Sequence, residues 1–437
     1  MIEQLFHWMD SSTCNVLAAD TIISELLKEG FVELDASQKW QLNPGEKYFL
    51  TRNGTAVFAF VTGTVAPAEG GFHIISSHSD SPTFKIKPNA EMYCEGGLVK
   101  LNVEKYGGGI LYTWFDRPLS FSGRVSLRSD NPLRPEIRSI DLKKPICTIP
   151  HLAIHFNRNV NEGNALSVQR DMLPVAGVFS VEQIAAMKAE GGLIRQLISD
   201  ELNVKTSDIL DYELNLYPVE KAAYCGVNKE FFQSGRIDDL SMAFASLRAL
   251  LDACNAPTRA TRVMAVFDNE ETGSGTKQGA HSPVFANMLE RISDSLNPTG
   301  PSREQFHRAV SHSFMISADD AHAWHPNYDS KYDPTNHPYM GKGPAIKINA
   351  NCKYMTDADG AAVFRHICEL AGVPCQTFVN HSDVAGGSTL GNILTGQLDL
   401  RGVDMGNPIW AMHSARETAS CSDHLNAIAA FTTFYRL

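Results

Sequence analysis

With 437 residues and 43% hydrophobic content, the chain is long enough for two domains, each burying a core of its own. A net charge of −11 with no block of Lys or Arg argues against nucleic acid or an anionic membrane as the main partner. The nine cysteines are scattered, odd in number and without a Cys-x-x-Cys pair, so they read as reduced thiols, mostly buried, rather than a disulfide framework or a thiolate zinc site. The first ten residues carry acids where a secretory signal carries bases, and no apolar run reaches membrane-spanning length, so a cytoplasmic protein is expected.

In chain order, Ile22, Ile23, Leu26 and Leu27 recur at helical spacing before Gly30, predicting an amphipathic helix that opens the fold. Strands follow over 47–52, 55–63 and 71–77, the first two joined by the hairpin signal Asn53-Gly54. The third runs into His78-Ser-Asp80-Ser-Pro82, where proline forbids simple continuation of the sheet. From Pro88 to Gln233 the pattern turns to strand-like alternation with many turns. Within it, Gly107-Gly-Gly109 lacks the Gly-Lys-Ser/Thr ending of a phosphate loop and reads as tight packing or a bulge. A helical patch, 181–197, and an acidic segment, 200–213, close this region. The expected organisation is a discontinuous catalytic domain, 1–87 and 234–437, interrupted by a domain at 88–233.

Asp238 and Asp239 then precede a helical run to Leu251, placing carboxylates at a helix N-terminus. The apolar strand 262–267 delivers Asp268, Glu270 and Glu271 into the loop at its end, and 277–291 is predicted helical. Strand 313–317 ends in Ala318-Asp319-Asp320-Ala-His322, and strand 408–412 carries His413 at its tip. Strands with helical connections imply an α/β sheet, whose ligands gather at the carboxyl ends of its strands.

His78, Glu270, Glu271, Asp319 and His413 all fall at such ends, with Asp80 just past one and Asp238 at a helix start. Imidazole plus carboxylate without thiolate suits a catalytic zinc or a related divalent ion. The set exceeds what one open zinc needs and matches two metals that share a carboxylate and a water. One carboxylate must then stay free to take the proton of that water. Glu270 and Glu271 divide these tasks, in an order their chemistry alone leaves open.

These stretches occur together with Arg236-Ile-Asp238-Asp239-Leu240, Phe267-Asp-Asn-Glu-Glu-Thr-Gly-Ser274, His325-Pro-Asn-Tyr328, Gly343-Pro-Ala-Ile-Lys-Ile-Asn349 and Ala411-Met-His413-Ser-Ala-Arg-Glu417. In that order they resemble the motifs of the aspartyl aminopeptidase family of dinuclear zinc exopeptidases, from about residue 20 to the C-terminus. The resemblance implies a mixed-sheet, zinc-exopeptidase-like α/β catalytic domain with an inserted, largely β dimerisation domain. It also implies two zinc ions per chain, with cobalt or manganese as possible substitutes. Asp238 would bridge them, His78 and Asp319 would complete one site, and Glu271 and His413 the other. Glu270 would be the base, and Asp80 would hold the second ring nitrogen of His78.

By the same resemblance the substrates are peptides with an acidic N-terminus, Asp or Glu, whose side chain pairs with Lys347. His322 and Tyr354 would touch substrate. His155, or alternatively His151, would reach a neighbouring subunit's site in a dimer-based homo-oligomer, with a dodecamer expected. Lys277, Asp320 and the tail Cys421-Ser-Asp-His424 lie outside this pattern without an assigned role. Two other readings remain: a related metallohydrolase acting on another amide, such as an acylated amino acid, and a non-catalytic oligomeric scaffold.

Overall fold

The structure, a computed structural model, describes all 437 residues. A nine-stranded mixed sheet forms its centre, in the order 32–33, 47–52, 56–61, 261–267, 72–78, 314–318, 401–406, 345–348, 376–379. Four neighbouring central strands, 261–267, 72–78, 314–318 and 401–406, run parallel. The register sets Phe267 beside His78, so both strands release their chains at the same edge of the sheet.

The central strands are buried on both faces, which explains the unbroken apolar run from Val263 to Phe267. Along 261–267 the side chains alternate. Met264 and Val266 join a core with the helices Ile237–Ala253 and Cys421–Arg436, while Val263, Ala265 and Phe267 join another with Val284–Leu296 and Arg303–Ser311. Asn53 and Gly54 both adopt positive φ (57° and 68°), the left-handed backbone that a two-residue hairpin turn requires.

Residues 83–218 form a separate six-stranded antiparallel sheet, in the order 136–141, 119–127, 209–218, 83–93, 98–106, 175–178. It packs its own core, including Phe84, Trp114, Phe121 and Leu214, with Ile194 and Ile198 from a covering helix. A third, five-stranded sheet brings 223–225 and 231–234 together with 417–420, 408–410 and 321–322.

Several local expectations change. The helix expected to open the fold spans Asn15–Lys28 and is preceded by another, Ile2–Ser11, whose buried Leu5, Phe6, Trp8 and Met9 anchor it. The patch at 181–197 is two helices, Val181–Ala189 and Leu193–Leu202, because Gly191 and Gly192 take positive φ (84° and 111°) between them. The helix expected from 277 starts only at Val284, after Pro283. Finally, the 408–410 strand carrying His413 belongs to the five-stranded sheet, so His413 reaches the central strand tips from outside the main sheet.

Candidate metal centre

His78 is the last residue of its strand, and Asp319 follows directly on the 314–318 strand. Asp238 lies at the start of Ile237–Ala253 with non-helical backbone (φ −78°, ψ 110°), so the chain presents its carboxylate before the regular helix begins. His78, Asp238 and Asp319 bring one ligand atom each within 4.8 Å of one another, as do Asp238, Glu271 and His413. Asp238 belongs to both groups.

The two histidines face different oxygens of this aspartate. His78 Nε2 lies 3.6 Å from Asp238 Oδ1, and His413 Nε2 lies 3.3 Å from Oδ2 and 3.2 Å from Glu271 Oε1. Their other nitrogens are engaged with backbone carbonyls: His78 Nδ1 donates to Asp80 O (3.0 Å) and His413 Nδ1 to Gly108 O (3.2 Å). A carbonyl can only accept, so each Nδ1 carries the proton and each Nε2 offers a lone pair to carboxylate oxygens. Acceptor thus faces acceptor, and only a proton or a cation between them relieves the repulsion. Asp238 Oδ1 and Glu271 Oε1 are buried without a hydrogen-bond partner.

The electrostatics agree. Burial opposes charging of His413, but Asp238 and Glu271 outweigh it and push the imidazole up to about 11. Burial likewise works against Asp238, yet His413 and His78 draw its carboxyl well below the usual range. Burial, with neighbouring acids adding to it, pushes Glu270 up to about 8 and Glu271 up to about 7. A divalent cation between these groups would relieve the same repulsion. Imidazole nitrogens and carboxylate oxygens fit zinc, and the outer nitrogens are already oriented by protein acceptors.

Asp80 does not hold His78 mainly through its carboxylate, which is 3.4 Å from Nδ1; the nearer acceptor is its backbone carbonyl. The carboxylate instead accepts from the backbone N–H of Glu270 (3.1 Å) and of Glu271 (3.2 Å) and from Tyr106 Oη (2.6 Å). Asn269, left-handed at φ 61°, donates to Tyr106 Oη (2.8 Å) and accepts from Thr276 and Gln278. The turn bearing Glu270 and Glu271 is therefore pinned between the central sheet and the end of the 98–106 strand. Gly107, at φ 70°, continues that strand end so closely past the turn that a Cβ on it would lie 3.2 Å from Glu271 Cβ.

One contributor had no assigned role. Glu417, only 1% exposed, accepts from the backbone N–H of Asp238 (3.1 Å) and of His413 (2.7 Å). It fixes the backbones of Asp238 and His413, from different elements, at once. Its only sequence signal was its place four residues after His413. Asp239 and Asp320 are also fully buried and form a third group with Asp238, one oxygen from each lying within 4.8 Å of the others. Asp239 accepts from the His78 N–H (3.1 Å) and Asp320 from Ser241 Oγ (2.8 Å), and burial pushes both carboxyls well up.

Lys347 is 4% exposed, with Nζ 3.4 Å from Asp319 Oδ2 and 5.8 Å from the centre of the Tyr354 ring. His322 lines a cavity of about 290 Å³ with His325, Tyr328, Phe378 and His381. His151 stacks on Phe115 (4.2 Å between ring centres), and His155 is exposed. Lys277 is exposed, and His424 is buried against Phe232 and Phe244, away from the metal-binding groups.

Residues 8–435 match the family model described as aminopeptidase I zinc metalloprotease (M18). A probable M18 family aminopeptidase 2 of Clostridium novyi (strain NT) is 48% identical over 434 residues, covering 99% of this chain and 98% of the relative. A chain in the cryo-electron microscopy structure of the Ape4 and Nbr1 complex is 34% identical and superposes with a TM-score of 0.94, covering 99% of this chain and 85% of that one. The mApe1 dodecamer of S. cerevisiae, 24% identical, shares the fold with a TM-score of 0.85, covering 99% of this chain and 96% of that one.

Proposed function

Because this chain belongs to the M18 family of zinc metalloaminopeptidases, we propose that it removes Asp and Glu from the N-terminus of peptides at a two-metal centre. The observation that carries this reading is Asp238, whose two oxygens face the free nitrogens of two histidines. His78 and Asp319 would hold one ion, Glu271 and His413 the other, with Asp238 shared. Such ions, zinc with cobalt or manganese as possible substitutes, supply Lewis acidity toward the scissile carbonyl and toward a water nucleophile.

The remaining chemistry falls to the chain. Glu270 is the one carboxylate of the Glu270-Glu271 turn outside the metal groups, and its backbone N–H is held by Asp80. In this role it takes the proton of the attacking water and returns it to the leaving amine. Lys347 stands beside Asp319 as a buried cation in an apolar strand, suited to a substrate carboxylate. His322 and Tyr354 are the further substrate contacts. Peptides with Asp, Glu, Leu or Lys at the N-terminus, assayed with chelator and after zinc restoration, test the reading. Metal-dependent cleavage favouring Asp and Glu is expected; equal cleavage of Leu peptides would remove the acidic specificity, and no release of any N-terminal residue would remove the peptidase reading.

We place subunit pairing on the inserted segment expected over 88–233, with His155 or His151 extended toward a neighbour's site. Leu152, Ile154 and Phe156 are exposed in the same loop, and burying their apolar surface favours association. A dodecamer is the expected assembly, as in the S. cerevisiae mApe1 structure. Light scattering of the purified chain checks it, a monomer being the contrary result.

A further inference from the structure

Cys368 and Cys375 flank the end of the Ala358–Ala371 helix, and the route of the chain between them is defined by its cap. Gly372 takes the left-handed backbone (φ 69°), its N–H donates to Glu369 O (3.0 Å), and the Val373 N–H donates to Cys368 O (3.0 Å). This is the paired bonding of a Schellman cap, which turns the chain back across the last helical turn. Pro374 then prevents the helix from resuming, and Cys375 lies on the returning segment. The Val373 N–H bond to Cys368 O and the bond from Arg365 Nη2 to Thr377 Oγ1 (2.6 Å) fasten the returning chain to the helix on either side of Cys375, and both cysteines pack on one apolar core. Cys368 is buried and Cys375 partly exposed, and both are free thiols.

Their surroundings make them unequal. Contact with the Cys368 thiol draws the Cys375 thiol down from its ordinary value, against burial and with help from the Arg365 guanidinium. The same contact, together with burial, pushes Cys368 up. Arg365 is held nearby by its bond from Nη2 to Thr377 Oγ1 (2.6 Å). An accessible thiol with a stabilised thiolate beside a buried second thiol is the arrangement of an attacking and a resolving cysteine.

We propose that Cys368 and Cys375 form a reversible intramolecular disulfide by exchange with a low-molecular-weight disulfide. The Cys375 thiolate attacks one sulfur of the small disulfide, forming a mixed disulfide and releasing the other half as a thiolate, which takes up a proton. Cys368 then gives up its proton and attacks the Cys375 sulfur, releasing the second half as a thiol. Two protein thiols are oxidised and one disulfide is reduced to two thiols. The new bond ties the helix to the 376–379 strand, which pairs with the strand carrying Lys347, where Phe378 is the register partner of Lys347.

The test exposes the metal-loaded full-length protein to oxidised glutathione, quenches in acid, alkylates under denaturing conditions and maps the peptides by mass. The expected product is a Cys368–Cys375 peptide lighter by two hydrogens, resistant to alkylation and restored by reductant. Cys375→Ser should form no cross-link and leave Cys368 alkylatable, while Cys368→Ala should stop at the mixed disulfide on Cys375. The proposal is overturned if both wild-type cysteines alkylate fully while the exposed Cys352 takes up glutathione, or if a mixed disulfide on Cys375 persists beside an intact Cys368.

Discussion

Replacing Glu417 should damage the metal centre without touching a metal-binding side chain. In Glu417→Gln the side chain keeps its shape and one oxygen, but the new amide donor must face a backbone donor, either Asp238 N–H or His413 N–H. One buried N–H loses its partner, at a cost of about 1–3 kcal/mol. Glu417→Ala orphans both N–H groups and opens a void, so a loss of about 2–6 kcal/mol is expected. Because the two backbones carry Asp238 and His413, metal affinity should fall on the order of 10–100-fold, as when a partner of a ligand is removed. Urea unfolding in excess chelator reads the first quantity, and competition with a coloured zinc chelator reads the second. If both variants unfold within about 0.5 kcal/mol of the parent and bind metal equally well, Glu417 does not organise the site.

Three further outcomes follow from the geometry. Glu270→Gln should keep full metal content, measured by elemental analysis, while turnover falls by about 10²–10⁴-fold, the usual worth of a positioned base; near-normal turnover would remove Glu270 from that role. Lys347→Ala should reduce the ratio of kcat/KM for Asp over Leu substrates by on the order of 10–100-fold, about 1.4–2.7 kcal/mol, which reaches the lower end of the usual cost of losing one partner of a buried charge pair; an unchanged ratio would show that Lys347 serves only Asp319. His424 is held neutral by burial, its pKa lowered from 6.5 to about 3. The unfolded chain therefore binds a proton that the folded one refuses, and stability present above pH 6.5 is lost as pH falls toward 3. His424→Leu should gain on the parent by roughly 1.4 kcal/mol per pH unit below 6.5, seen in chelator-treated urea unfolding at pH 7.5 and pH 5. Parallel pH profiles of the two proteins would contradict this.

Much of the centre was legible from local pattern. A buried parallel strand is largely apolar, so charged residues just past an apolar run mark its end, as Glu270 and Glu271 do just beyond Phe267; in 72–78 the stop is blunter, because Ser76 and Ser77 already interrupt the run before His78. The helix 181–197 was misjudged for an equally local reason: apolar periodicity outlasts the helix, and only the positive φ of Gly191 and Gly192 separates its two parts.

The sequence alone determined which residue types stand at the strand tips and the order in which they arrive, because apolar runs and their polar stops are written within a few neighbouring positions. Tertiary structure decided what those residues touch. That Asp80 spends its carboxylate on the Glu270 and Glu271 N–H groups, that His413 enters from the five-stranded sheet, and that Glu417 holds Asp238 across 179 positions of chain are pairings of side chains with distant backbone. Such bonds leave no periodic trace, since a carboxylate will accept from whichever buried N–H the fold brings to it.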